Sequence, residues 1–334
     1  MARRWITSHS IDIRRNASLD SGLFGVRVRA HRIVSRAFVF FGTFAILALP
    51  ACSPKPTTQL EDSLTSGSIR VVSSAEIFDL MEKEKAAFEA LYPAAKIQIV
   101  KGSSTEAIRD LFGARGDLAA ITRELEADER SAAVRGRLEL EGFGFARDAI
   151  VMVVHRGNPV ENMAIDGLRR VYDGRSTRWS DFGGPDQAIE PVVQKVDSDL
   201  SEAFMQTVLE GGAIQARSIL AENDDQVLAE VARRPWAIGY VSLAVAERAP
   251  RTLRVATLEG LQYWSPDLEA VHDREYPLTR NLNLYVRTVG PPLAKGFVTF
   301  ITSRDGQKIV HQSGRVPTTV PVRFVRRSPL LGTH

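Results

Sequence analysis

Residues 69–72 read Ile-Arg-Val-Val and residues 97–100 read Ile-Gln-Ile-Val, two short apolar runs that flank a helical pattern. Between them Ile77, Leu80, Met81, Phe88 and Leu91 recur at the spacing of one helix face. A second helix runs through Ile108, Leu111 and Phe112, and residues 117–121 (DLAAI) turn apolar again. Strand, helix, strand, helix, strand is the rhythm of an α/β fold with largely parallel sheets. The same rhythm continues toward the C-terminus. Residues 149–154 (AIVMVV) read as a fully buried strand, followed by a turn at Gly157-Asn158-Pro159 and a helix near residues 166–172. Further strands are expected at 191–196, 237–241 and 281–286, and helices at 200–209, 226–232, 293–303 and 306–313.

Toward the N-terminus the character changes. Residues 54–67 (PKPTTQLEDSLTSG) are polar and rich in Pro, Ser and Thr, and read as a flexible tether, with folding expected to begin near Ile69. Before the tether, residues 37–49 (AFVFFGTFAILAL) hold no charge, and residues 1–36 hold eight arginines. A basic stretch, a short apolar stretch and small residues make a secretory signal. Those 13 apolar residues are fewer than the roughly 20 a spanning helix needs. Leu49-Pro50-Ala51-Cys52 resembles the bacterial lipobox, which makes Cys52 the expected lipidated first residue of an exported, membrane-tethered chain. The other reading of Cys52 is a buried free thiol behind an apolar helix.

Charge and cysteine content exclude several classes. The formal charge of +3 is set by the signal segment, whose eight arginines face only Asp12 and Asp20; residues 52–334 carry about −3. The basic balance therefore gives no reason to expect nucleic acid as a partner. With one cysteine the fold has no internal disulfide, so an apolar core must hold it. The six histidines show no metal-ligand spacing, and neither a metal nor a cofactor is expected. No Gly-x-Ser-x-Gly elbow or spaced Ser-His-Asp set points to an enzyme.

Three places share one design, a strand followed by small hydroxyl residues and a helix start: Val72-Ser73-Ser74, Val100-Lys101-Gly102-Ser103-Ser104 and Val196-Asp197-Ser198. Helix starts present unpaired N–H groups, so such turns bind anions without a lysine. In open α/β sheets they converge at the carboxyl ends of the strands. Ser73-x-x-Glu76 and Ser103-x-x-Glu106 also fit capping boxes, in which the same groups serve only their own helices. Both readings stand at this level.

Six segments in order then resemble the phosphate-binding proteins of ABC transporters. They are Gly102-Ser103-Ser104-Thr105 with 116–123 (GDLAAITR); 147–150 (RDAI) through Asn158-Pro159; 169–184 (RRVYDGRSTRWSDFGG), the most specific; 237–242 (AIGYVS); Tyr276-Pro277-Leu278; and 306–310 (GQKIV). The resemblance implies a two-lobed type II periplasmic-binding-protein fold, each lobe a mixed sheet flanked by helices, with a ligand cleft between them. Residues 1–51 would be signal, 52–67 tether, 68–148 the first lobe, 149–275 the second, and 276–334 a return to the first. The implied ligand is phosphate or a related oxyanion, delivered by a monomer to an ABC permease after hinge closure. Crossings between lobes are expected near residues 146–151 and again between 259 and 285. Implied ligand residues are Ser74, Ser103, Ser104, Thr122, Arg123, Lys195 and Ser198.

The site departs from the family pattern. Phe204 sets the register, so that Ser198-Asp199-Leu200 stands where the family has Ser-Gly-Thr, and Gln194 where it has an arginine. Gln cannot supply a bidentate, charge-assisted grip. Asp199 at a helix start is expected to repel an anion. Glu76 has two readings, a helix cap or a carboxylate turned into the cleft. Lys195 and Arg123 are the cations near enough in sequence to substitute. A degraded site would leave the same fold as a cell-surface sensor or adaptor.

Overall fold

The computed structural model describes residues 62–319; the signal segment, Cys52 and most of the tether lie outside the described residues. In chain order the first elements are β1 (Gly67–Ser74), α1 (Phe78–Leu91), β2 (Ala95–Gly102), α2 (Ser104–Phe112), β3 (Leu118–Ile121), α3 (Ala127–Arg135) and β4 (Leu140–Val154). Next come β5 (Asn162–Ala164), α4 (Ile165–Tyr172), β6 (Glu190–Gln194), α5 (Asp199–Val208), β7 (Ile219–Ala221), α6 (Asp224–Arg233) and β8 (Ala237–Ser242). The chain ends with β9 (Arg251–Thr252), β10 (Arg254–Ala256), α7 (Leu268–His272), β11 (Thr279–Arg287), α8 (Pro292–Ile301), α9 (Arg304–Gln312) and β12 (Val316–Pro317).

β1 lies parallel to β2 on one side and β3 on the other, with Val71 opposite both Ile99 and Leu118. Side chains alternate across a strand, so neighbours on β1 feed different cores. Ile69 and Val71 pack with Leu80, Met81 and Phe88 of α1 and with Phe297 of α8. Val72 turns the other way, onto Ala107, Ile108 and Leu111 of α2. β11 then enters between β3 and β4, antiparallel to both.

β4 joins the two lobes. Its 15 residues span about 50 Å. From Leu140 to Ala149 it pairs with β11, and from Ile150 to Val154 with β8. β6 and β7 continue the second lobe in parallel, so the sheet order is β2-β1-β3-β11-β4-β8-β6-β7. The sheets are mixed, because the strands that cross between lobes run against their neighbours.

The passes between lobes are visible in the cores. Ala146 belongs to the first-lobe core and Ala149 to the second; Leu278 belongs to the second and Leu282 to the first. A third pass follows α9, since Val310 packs in the first core and Val316 in the second.

The most specific sequence matches hold the second core together. Trp179 is fully buried and its indole N–H donates to the Trp236 carbonyl at 2.9 Å. Gly183, at φ +77°, closes the turn after it. Phe204 stacks on Tyr240 with ring centroids 4.3 Å apart, and Tyr172 packs edge-on against Phe204. Gly239 lets Val227 approach, since a Cβ there would meet Val227 Cγ1 at 2.7 Å.

Several expectations change. β1 opens at Gly67, behind a turn in which the Ser63 N–H donates to the Ser66 carbonyl at 3.0 Å. Leu91, expected on the buried face, ends α1 with 58% of its surface exposed. β4 starts nine residues before the apolar run at Ala149 that marked it in the sequence. α3 has Ala133 as its buried side chain and so carries no apolar stripe to read.

Candidate functional site

The carboxyl ends of β1 and β2 and the start of α2 face the end of β6 and the start of α5 across a cleft of about 690 Å³. Strand-end turns and helix starts meet here from both lobes, as open α/β folds dictate. On the first-lobe side, Ser103 caps α2 in a capping box: its hydroxyl accepts from the Glu106 N–H at 3.1 Å, and Glu106 Oε2 accepts the Ser103 N–H at 3.0 Å. Capping serves those groups and leaves the next N–H, that of Ser104, pointing outward.

That N–H has a partner from the other lobe. Ser104 N–H donates to Asp199 Oδ1 at 3.1 Å, and the Ser104 hydroxyl donates to Asp199 Oδ2 at 3.0 Å. The Ser74 hydroxyl, at the end of β1, donates to the same Oδ2. Ser74 and Ser104 are fully buried. Thr122, after β3, backs the seat by donating its N–H to Ser104 Oγ at 3.2 Å. One backbone amide and two hydroxyls thus close on both oxygens of one carboxylate. Asp199 stands at the first turn of α5 and faces the first turn of α2, so the positive ends of two helices meet at its charge.

The structure separates the expected site residues. Ser74 and Ser104 touch the carboxylate, with Thr122 behind them. Ser103 and Ser198 line the cleft but act as helix caps, Ser198 accepting the Ser201 N–H at 3.2 Å. Arg123 is held away by Glu129 in a two-pronged pair at 2.7 and 2.8 Å, with a further bond to Thr105 Oγ1 at 3.1 Å. Lys195 pairs with Glu222 at the surface. Neither cation reaches the seat occupied by Asp199.

Ser73 and Glu76 do not form the capping box their spacing suggested. Ser74 is the cap, accepting the Glu76 N–H at 3.3 Å, while the Ser73 hydroxyl turns to the Ser74 carbonyl at 3.0 Å. The Glu76 carboxylate is drawn instead to Arg280, which also grips Asp148 Oδ2 at 2.6 Å. Arg280 and Asp148 are register partners on β11 and β4, at the two strand passes between lobes. Burial lowers the Arg280 guanidinium to about 9, with nearby Arg315 acting in the same direction. Burial likewise pushes the Asp148 carboxyl up to about 6. A buried charge of this kind needs its partner.

Gln194 is buried and donates to Asp224 Oδ1 at 2.5 Å. Asp224 also accepts the Ser242 hydroxyl at 2.7 Å, and burial raises its pKa. Of the charged residues lining the cleft, eight are acidic (among them Asp79, Asp197 and Asp225) against Lys101, Lys195 and Arg248. Arg248 is paired with Asp225 at 2.7 Å, so the lining offers a free anion little attraction.

The role of Asp199 differs from the repulsion expected of a carboxylate at a helix start: its own oxygens take the donors of the opposite lobe. The signal was Asp199 at the position where the resemblance implies a Gly, which puts a carboxylate at the helix start facing the cleft.

Comparison with known proteins gives the same architecture. A family model described as "PBP superfamily domain" matches residues 58–305. The phosphate-binding protein PstS of Bacillus subtilis (strain 168) is 26% identical over 258 residues, covering 76% of this chain and 82% of that one. Among solved structures, an ABC-type phosphate transport receptor from Vibrio cholerae superposes with a TM-score of 0.66 at 21% identity, over 75% of this chain and all of that one. PstS from Borrelia burgdorferi does so with a TM-score of 0.60 at 19% identity, over 75% and 99% of the two chains. These structures share the two-lobed fold described above, and the protein belongs to the PBP superfamily domain family.

Proposed function

We propose that this protein is an extracytoplasmic solute-binding protein that captures phosphate or a related oxyanion between its lobes and hands it to an ABC importer. The observation that carries the reading is the seat itself: the Ser74 hydroxyl and the Ser104 hydroxyl and N–H converge on the two oxygens of a carboxylate. Donors at helix starts, arranged to meet two anionic oxygens, suit any tetrahedral or planar oxyanion. The names of the relatives above supply the choice of phosphate. Export and lipid attachment at Cys52 complete the proposal, and they place a monomer at a membrane surface beside its permease. Hinge motion about β4 and β11 would open the cleft.

Isothermal titration of the purified protein with phosphate, with sulfate and arsenate as controls, tests the solute. Phosphate binding that disappears in the Ser74→Ala, Ser104→Ala double variant is the expected result. Binding that survives the double change would move the site elsewhere. For the anchor, Cys52→Ser should shift the protein out of the membrane fraction; continued attachment would point to an uncleaved apolar segment.

A second reading has its own support. With Asp199 in the seat, Gln194 in place of an arginine and an acidic lining, the cleft suits a sensor or adaptor whose lobes are closed by its own chain. No heat and no thermal stabilisation by any oxyanion would favour it.

A further inference from the structure

We propose that Asp199 is a tethered competitor for the oxyanion seat, a built-in ligand that latches the lobes together when no solute is bound and sets the concentration at which solute enters. The proposal rests on reading the seat as an oxyanion site. Its basis is the position of the contact. Asp199 opens α5, whose Leu200 and Phe204 are buried in the second-lobe core, while Ser74 and Ser104 belong to the ends of β1 and α2 in the first lobe. The three hydrogen bonds therefore bridge the lobes, and they do so at the cleft rather than at the strands that join them.

The donors explain why a carboxylate sits there. Ser104 N–H is one of the two first-turn amides that the capping box of α2 does not serve, and both serine side chains are fully buried. Buried donors without an acceptor are unfavourable, so a closed cleft with an empty seat is disfavoured. Asp199 fills it from within. A solute oxyanion that needs the same donors cannot share them with a second negative charge, so it enters only when Asp199 leaves. A seat free about one part in a hundred of the time weakens apparent affinity about 100-fold. Asp199 also excludes by degree: an oxyanion must outbid a carboxylate already held at the effective concentration of a tethered group.

The test compares the wild type with Asp199→Gly and Asp199→Asn, each titrated with inorganic phosphate and with sulfate, and each measured by small-angle X-ray scattering without ligand. Asp199→Gly should bind phosphate on the order of 100-fold more tightly than the wild type. It should also have a larger radius of gyration in the absence of phosphate, shrinking when phosphate is added. Asp199→Asn keeps the shape of the side chain and removes its charge, and carries the test should the glycine variant fold poorly; it should move in the same direction by a smaller factor. Unchanged affinity together with an unchanged radius in both variants would overturn the latch. Variants that open without ligand yet bind neither phosphate nor sulfate would uphold the latch and overturn the oxyanion as solute.

Discussion

Two carboxylates, one fully buried in the first lobe and one half-buried at the cleft, have opposite surroundings. Glu84 lies on the face of α1 that also carries Leu80, Met81 and Phe88; it is fully buried, and neither oxygen has a hydrogen-bond partner. Burial pushes its carboxyl up to about 9, so at neutral pH it is held as the neutral acid. Asp199 comes from the other lobe and receives one N–H and two O–H groups. The first place offers a carboxylate only desolvation; the second offers donors and two helix starts. The contrast supports the proposed reading of Ser74 and Ser104 as a place for a negative charge.

The largest expected effect concerns a third carboxylate, Asp148, which is buried with an ionic partner. Arg280→Met would remove the guanidinium that pairs with Asp148 and Glu76 at the strand passes and leave Arg315 as the cation acting on Asp148, at a cost of about 3–5 kcal/mol. Urea denaturation measures this, and a loss below about 1 kcal/mol would mean that the ion pair is as dispensable as a surface one.

Glu84 comes next. Its pKa is higher folded than unfolded, so the folded state binds the proton more tightly. The associated stability is present in full below about 4.5 and is lost as pH rises toward about 9, at up to about 1.4 kcal/mol per pH unit. Glu84→Gln should flatten that dependence, with its advantage over the wild type larger at pH 8 than at pH 5. Parallel stability curves for the two proteins would show that Glu84 finds a partner or water in solution.

The smallest effect is expected at Lys195. Its pair with Glu222 lies at the surface, away from the seat, so Lys195→Ala should change phosphate affinity no more than about two- to threefold. A loss as large as that in the Ser74→Ala, Ser104→Ala variant would show that the lysine moves into the cleft on binding.

Much of this architecture is legible in the sequence because it follows from local periodicity. Val71 and Val72 point to opposite cores for no reason beyond strand alternation, and the helix faces of α2 and α5 follow from their spacing. The hydroxyl turns are readable for the same reason, since a strand followed by Ser-Ser and a helix start leaves N–H groups at a known place. What is not readable depends on contacts far apart in the chain. The first half of β4 is obscured by Gly142 and Gly144; Gly142 is required by Tyr285, 143 residues later, whose Cε1 would lie 2.7 Å from an added Cβ. Glu76 had two readings, a cap or a carboxylate in the cleft, and neither includes Arg280, the distant partner that holds it. Asp199 looked like a defect in an anion site, because the sequence gives its register but not that its side chain reaches across to the other lobe.

The most direct measurement is hydrogen exchange at the Ser104 amide in the protein without ligand. That amide donates to Asp199 at 3.1 Å and has no acceptor within its own helix. If Asp199 fills the seat, the amide is protected in the wild type, exchanges at least about 10-fold faster in Asp199→Gly, and regains protection when phosphate is added. Equal exchange in the wild type and Asp199→Gly would contradict the account, because the seat would then be empty in both.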